Sequence, residues 1–223
     1  MTDTPQAVPQ PGVVRLAADI TEVLLIRHGR SADVVPGSPE SADPPLHAEG
    51  EEQAAKLAAR LAPKHLDAVY ASHLRRAVQT AEAFAAPKGL EVRIDPELEE
   101  VRLGEWGNGE FRRRAFVMDP EWVEWSRTRT WDGIPGAEGD AVFRRRVTRA
   151  IDRAVSAHPG GRLAVVCHGG VINAYLAVLL GSARTIWMTC DNTSISVVHH
   201  AADGHSIVTA NDCRHLDDPA LRA

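Results

Sequence analysis

Cysteine is scarce in this chain of 223 residues: Cys167, Cys190 and Cys213 are the whole complement, an odd number with no C-x-x-C pair. That argues against a disulfide framework and against a cysteine zinc site, and it predicts a reduced, cytoplasmic protein. Long apolar runs are missing too. Val23–Ile26 and Leu176–Leu180 fall far short of the roughly 18 residues that suggest a bilayer span, so no membrane partner is expected. Met1 to Gln10 carries Asp3, two prolines and two glutamines without an apolar stretch, which is not a secretory leader; residues 1–20 read as a flexible tail. Excess basic charge is absent as well. Lys plus Arg is 25 against 30 for Asp plus Glu, a net charge of −5, which lacks the footprint of a nucleic-acid binder. Any anionic ligand must therefore be met by a local positive site.

What is present is a globular composition, 44% hydrophobic and 25% charged. The length predicts a single domain over residues 21–215, since roughly 100 to 200 residues make one domain. Glu22–Arg27, Asp67–Ala71, Val92–Ile94 and Leu163–Cys167 read as short buried strands. Between them lie helical patterns. Ala54, Leu57, Ala58 and Leu61 recur at helical spacing, Ser72 is a candidate N-cap for a helix running to Ala86, and Ala141–Ala157 and Val171–Leu180 continue the alternation. Ile195–His200 and Ser206–Ala210 read as a terminal hairpin. Residues 104–139 hold four of the five tryptophans and the Arg112-Arg113-Arg114 run, and read as an insertion that covers a site. The alternation predicts an α/β three-layer sandwich: a mostly parallel central sheet, helices on both faces, an antiparallel edge, and a ligand beyond the carboxyl ends of the strands.

Those strand ends carry the chemistry. Arg27-His28-Gly29 closes the first strand, Ser72 to Arg76 follows the second, and His168-Gly169-Gly170 follows the strongest later one. Imidazoles, guanidiniums and glycines that let backbone approach a ligand make an anion-seeking set suited to a phosphoryl group.

The runs Leu25-Ile26-Arg27-His28-Gly29-Arg30-Ser31, Pro45-Leu46 through Gly50 to Gln53-Ala54, Tyr70 to Ala81, Leu98-Glu99-Glu100 with Gly104-Glu105-Trp106, and Val166 to Val171 occur in one order. In that order the chain resembles the histidine phosphatase superfamily, also called phosphoglycerate mutase-like, from about Val23 to Val198. The resemblance implies a phosphoglycerate mutase-like fold and catalysis through a phosphohistidine. Residue by residue, it implies that His28 is the nucleophile, that Arg27, Arg76 and His168 bind the phosphoryl group, and that Glu100 is the proton donor. Arg75 is the neighbouring alternative to Arg76; Glu97, Glu99 and Glu105 are alternatives to Glu100. Arg30, Ser31 and Gly169 are candidate substrate contacts.

The implied activity is a phosphomonoester hydrolase, without metal or other cofactor, acting on a small phosphorylated metabolite. A mutase that returns the phosphoryl group to a substrate hydroxyl is the nearest rival. A non-catalytic phospho-ligand binder is the second, although binding alone needs neither His28 nor Glu100. Three departures favour the hydrolase: Val34 stands where mutase-type members usually have Asn, His47 where Thr is common, and no Arg-Arg-Ser-type motif follows Trp106. The Arg112–Arg114 and Arg144–Arg146 runs read as solvated faces, since with only three lysines arginine is favoured chain-wide. Trp122, Trp125 and Trp131 read as packing of the insertion. His199, His200, Cys213 and His215 lack the spacing of a metal motif. The oligomeric state is left open, a dimer included.

Overall fold

The computed structural model describes residues 19–216; of the predicted tail, residues 1–18 lie outside the described residues. Six strands form one sheet: β1 (Thr21–Arg27), β2 (Ala68–Ala71), β3 (Val92–Ile94), β4 (Arg162–Cys167), β5 (Ile195–Ala201) and β6 (Gly204–Asp212). Their order is β3-β2-β4-β1-β5-β6. The first four are parallel, and β5 and β6 extend the sheet antiparallel beside β1. This is the predicted α/β layering with its antiparallel edge.

β1 shows why the layers form. All four residues Val23 to Ile26 are buried, as a central strand covered on both faces requires. Val23 and Leu25 face the layer of α5 (Asp140–Ser156) and α6 (Gly169–Leu179), while Leu24 and Ile26 face α1 (Ala48–Leu61) and α2 (Arg75–Ala85). Residues 104–139 contain α3 (Glu110–Phe116) and α4 (Pro120–Thr128), and their Trp106, Trp125 and Trp131 extend the core on the α5–α6 side.

Two helix starts differ from expectation. Ser72 does not cap α2, which begins at Arg75 with Leu74 in the cap position. The Ser72 hydroxyl instead meets the His168 ring and the Leu74 N–H, and Asp43 from the preceding loop accepts from the Arg75 N–H (2.8 Å). The helix expected at Val171 begins at Gly169, immediately after His168, so the two glycines open the helix rather than precede it.

Candidate active site

Parallel register brings the two strand-end histidines together. Arg27 pairs with Cys167 across β1 and β4, so His28 and His168 are the next residue out on adjacent strands, and the His28 N–H donates to the Cys167 carbonyl (3.0 Å). Their ring centroids lie 5.0 Å apart at 61°. α2 then inserts Arg76 between them. The Arg76 Nε donates to His28 Nε2 (3.3 Å), and its Nη2 lies 3.4 Å from His168 Nδ1. A guanidinium only donates, so both of these ring nitrogens present lone pairs. The protons sit on the opposite nitrogens: His28 donates from Nδ1 to the Gly29 carbonyl (2.7 Å) and His168 from Nε2 to Ser72 Oγ (3.0 Å). His28 lines the cavity with its Nε2 unprotonated and held by Arg76.

Electrostatics keep both rings neutral. Burial holds the His28 imidazole well below its ordinary pKa, and the Arg76, Arg27 and Arg112 guanidiniums lower it further. His168 is lowered in the same way, by burial and then by Arg76, His28 and Arg27. Arg76 itself is buried and drawn down to about 10 by desolvation, with Glu100 and Asp43 opposing; its contact with Asp43 is a loose 3.9 Å. Arg27 reaches the Cys190 carbonyl from Nη1, while its buried Nε has no hydrogen-bond partner among the described residues. Cationic groups that are buried and incompletely paired are what an entering anion would satisfy. The cavity above them holds about 620 Å³.

Glu100 reaches the same cavity at the N-terminus of α6. Its Oε2 accepts from the Gly170 N–H and its Oε1 from the Val101 N–H, both at 3.0 Å. A Cβ on Gly170 would fall 2.2 Å from Glu100 Oε1, so this glycine makes room for the carboxylate. Of the alternatives, Glu97 pairs with Arg149 and Arg153 away from the cavity, Glu105 is exposed, and Glu99 lines the cavity but is tied to Arg102. Arg75 is exposed.

The loop after β1 is anchored by groups whose roles sequence reasoning missed. Thr80 Oγ1 accepts from the Gly29 N–H and donates to the Arg76 carbonyl, joining the loop after β1 to α2. Gln53 accepts from the Arg30 N–H and Gln79 from the Leu46 N–H. Gly29 lets the loop touch α1, for its Cβ would lie 2.6 Å from the Gly50 carbonyl oxygen. Asn192 donates from Nδ2 to the His28 carbonyl (2.9 Å) and lines the cavity. Its signal was the polar run Asp191-Asn192-Thr193-Ser194 before β5: an antiparallel strand starts where β1 ends, so this run had to reach the site.

Arg30 lines the cavity with its guanidinium shared among Asp33, Glu49 and His47. His47 also caps α1 by accepting from the Glu49 N–H, the kind of bond a Thr hydroxyl would make there. Ser31 lines the cavity and accepts from Arg112 Nη2 (2.9 Å). Arg112 stays exposed, as expected for its run, yet also lines the cavity wall. Gly169 borders a neighbouring aromatic hollow of about 420 Å³ rather than the His28 cavity, with Phe111 and Trp131 lining both. The metal-type side chains go separate ways: His199 to Glu22, His200 to Tyr175, and Cys213 to Asp191. No helix among the described residues is long and apolar enough to cross a membrane.

Comparison with known proteins identifies the family and the fold. The model of the histidine phosphatase superfamily (branch 1) matches residues 23–213. Phosphoglycerate mutase-like protein 4 of Arabidopsis thaliana is 32% identical over 206 residues, covering 90% of this chain and 89% of its own. A solved structure of a putative alpha-ribazole-5'-P phosphatase from Escherichia coli superposes with a TM-score of 0.71 at 28% identity, over 86% of this chain and 97% of that one. YhfR of Bacillus stearothermophilus shares the fold at a TM-score of 0.77 and 24% identity, over 88% and 99% of the two chains.

Proposed function

The chain belongs to the histidine phosphatase superfamily, and from that premise we propose that it is a phosphomonoester hydrolase working through a phosphohistidine on a small phosphorylated metabolite. The observation that carries this reading is the lone pair of His28 Nε2, held at the cavity floor between Arg76 and His168. In the first step the entering phosphoryl group draws the Arg76 N–H groups off the two histidines, freeing the His28 Nε2 lone pair to attack phosphorus in line while Arg27 and Arg76 take the non-bridging oxygens; His168 joins them as a donor in its other tautomer, with the proton on Nδ1 and the Ser72 hydroxyl donating to its Nε2. Guanidiniums supply the charge neutralisation that a divalent cation provides in other phosphoryl-transfer sites. Glu100 gives its proton to the departing alkoxide. In the second step the Glu100 carboxylate takes a proton from water as that water attacks the phosphohistidine, releasing phosphate and restoring the imidazole. Arg30, Ser31 and Arg112 line the path to the rest of the substrate.

The test is phosphate release across a panel of phosphomonoesters, run beside His28→Ala. Release by the wild-type chain, lost by at least about 10³-fold in the variant, supports the hydrolase. A mutase-like relative keeps the second reading open: conversion of 3-phosphoglycerate to 2-phosphoglycerate without phosphate release would replace hydrolase by mutase. Tight phosphate binding with no turnover at all would leave a phospho-ligand binder.

A further inference from the structure

Arg146 was expected on a solvated face, yet its side chain is 7% exposed and crosses beneath the segment that carries Glu100. That segment, residues 99–103, belongs to no helix or strand, so its carbonyls have no ladder to join. Arg146 takes their place. Its Nη1 donates to the carbonyls of Glu97 (2.6 Å) and Glu99 (2.9 Å), and its Nη2 to the carbonyl of Glu100 (3.3 Å). Nη2 and Nε also donate to the two carboxylate oxygens of Glu138, so all five donors of the guanidinium are engaged. Glu138, itself 7% exposed, accepts from the Arg102 N–H (3.0 Å), two residues beyond Glu100. Glu100 is thus held at two points, by its carbonyl from below and by its carboxylate at the Gly170 N–H from the side.

We propose that Arg146, clamped by Glu138, is a positioning residue that sets the carboxyl of Glu100 for proton delivery to the leaving group. This rests on the reading that Glu100 is the proton donor. Only a planar fork with five donors can serve three carbonyls and a carboxylate at once; a lysine keeps the charge beside Glu138 but not the geometry.

The experiment measures kcat/KM for a series of substituted phenyl phosphates, with thermal unfolding of each protein alongside. A p-nitrophenolate departs without a proton, whereas phenolate and p-methoxyphenolate need one. For Arg146→Lys the expected result is a loss of about 10- to 100-fold on phenyl and p-methoxyphenyl phosphate, with p-nitrophenyl phosphate kept within about threefold. Glu100→Gln should show the same slope more steeply, and adding Arg146→Lys to it should change little further. An equal loss on every ester would mean a merely structural role and overturn the proposal. Should Arg146→Lys fail to fold, Arg146→Met with Glu138→Gln leaves no unpaired buried charge and is judged by the same slope. If Glu100→Gln itself shows no leaving-group dependence, the proton-donor reading fails instead, and that result is distinct from a flat Arg146→Lys with a steep Glu100→Gln.

Discussion

On the floor of the cavity, Arg27, His28, Arg76 and His168 are each tied by hydrogen bonds to neighbouring loops, strand ends and helix starts, and the buried Arg27 Nε is left open. The wall built by residues 104–139 is made differently. It turns Asn108, Met118 and Arg129 through left-handed backbone at φ of 48°, 52° and 61°, and it buries the indole N–H groups of Trp122, Trp125 and Trp131 with no partner among the described residues. At its tip Phe116 is 90% exposed. Each left-handed non-glycine residue costs about 1 kcal/mol or more, and each unpaired buried donor about 1–3 kcal/mol. Thr193 adopts the same backbone behind the floor, but there its N–H reaches the His28 carbonyl and its hydroxyl the Asn192 carbonyl. On the proposed reading the reacting phosphoryl group is alike in every phosphomonoester, so the floor can be rigid and fully specified, whereas the remainder of a substrate varies and would meet a wall that carries strain and exposed surface.

That contrast is open to direct attack. The largest effect is expected from Arg76→Met, which removes the guanidinium shared by both histidines: kcat/KM should fall about 10³-fold by the same factor on every ester. Steady-state kinetics showing losses that differ more than about tenfold between esters would erase the distinction between floor and wall. Next comes Gly170→Ala, whose new Cβ would collide with Glu100 Oε1; kcat/KM on alkyl and phenyl esters should drop about 10²-fold with the melting temperature nearly kept.

The floor also carries a pH liability that the wall lacks. His28 and His168 are neutral in the folded chain and have depressed pKa values, whereas unfolded histidines protonate near 6.5. Below that pH the unfolded state binds more protons, so stability falls as pH drops and is untouched above about 7.5. Each histidine contributes a slope approaching about 1.4 kcal/mol per pH unit. Urea midpoints at pH 7, 6 and 5 should show the decline, shallower in His28→Ala and unchanged in wall variants. The smallest effect belongs to the wall itself. Arg112→Met should raise KM about tenfold on some esters and hardly on others, with kcat within about threefold; a uniform kcat loss would move Arg112 to the floor.

Much of this site was legible beforehand. A strand that is apolar throughout and stops at Arg27-His28 or Cys167-His168 reads as covered on both faces, as in a parallel sheet, and such strands gather ligands at their ends. His28, His168 and Arg27 followed. Asn192 and Thr80 did not, because their work is done by single hydrogen bonds to backbone groups that belong to other elements. Ser72 was misplaced for a related reason: a serine before a helical pattern is a good cap, and nothing local reveals that a histidine 96 residues away occupies its hydroxyl.

By itself the amino-acid order determined the layered fold, the strand ends that hold the chemistry and the kinds of side chain gathered there, since periodicity and residue type are local properties. Tertiary structure set Arg76 against both histidines and left Arg75 exposed, placed Arg112 in the cavity wall, and buried Arg146 under Glu100. Three arginine runs look alike in one dimension. Which guanidinium is solvated, which binds an anion and which replaces a missing hydrogen-bond ladder depends on the carbonyls and carboxylates that the fold carries to it from distant parts of the chain.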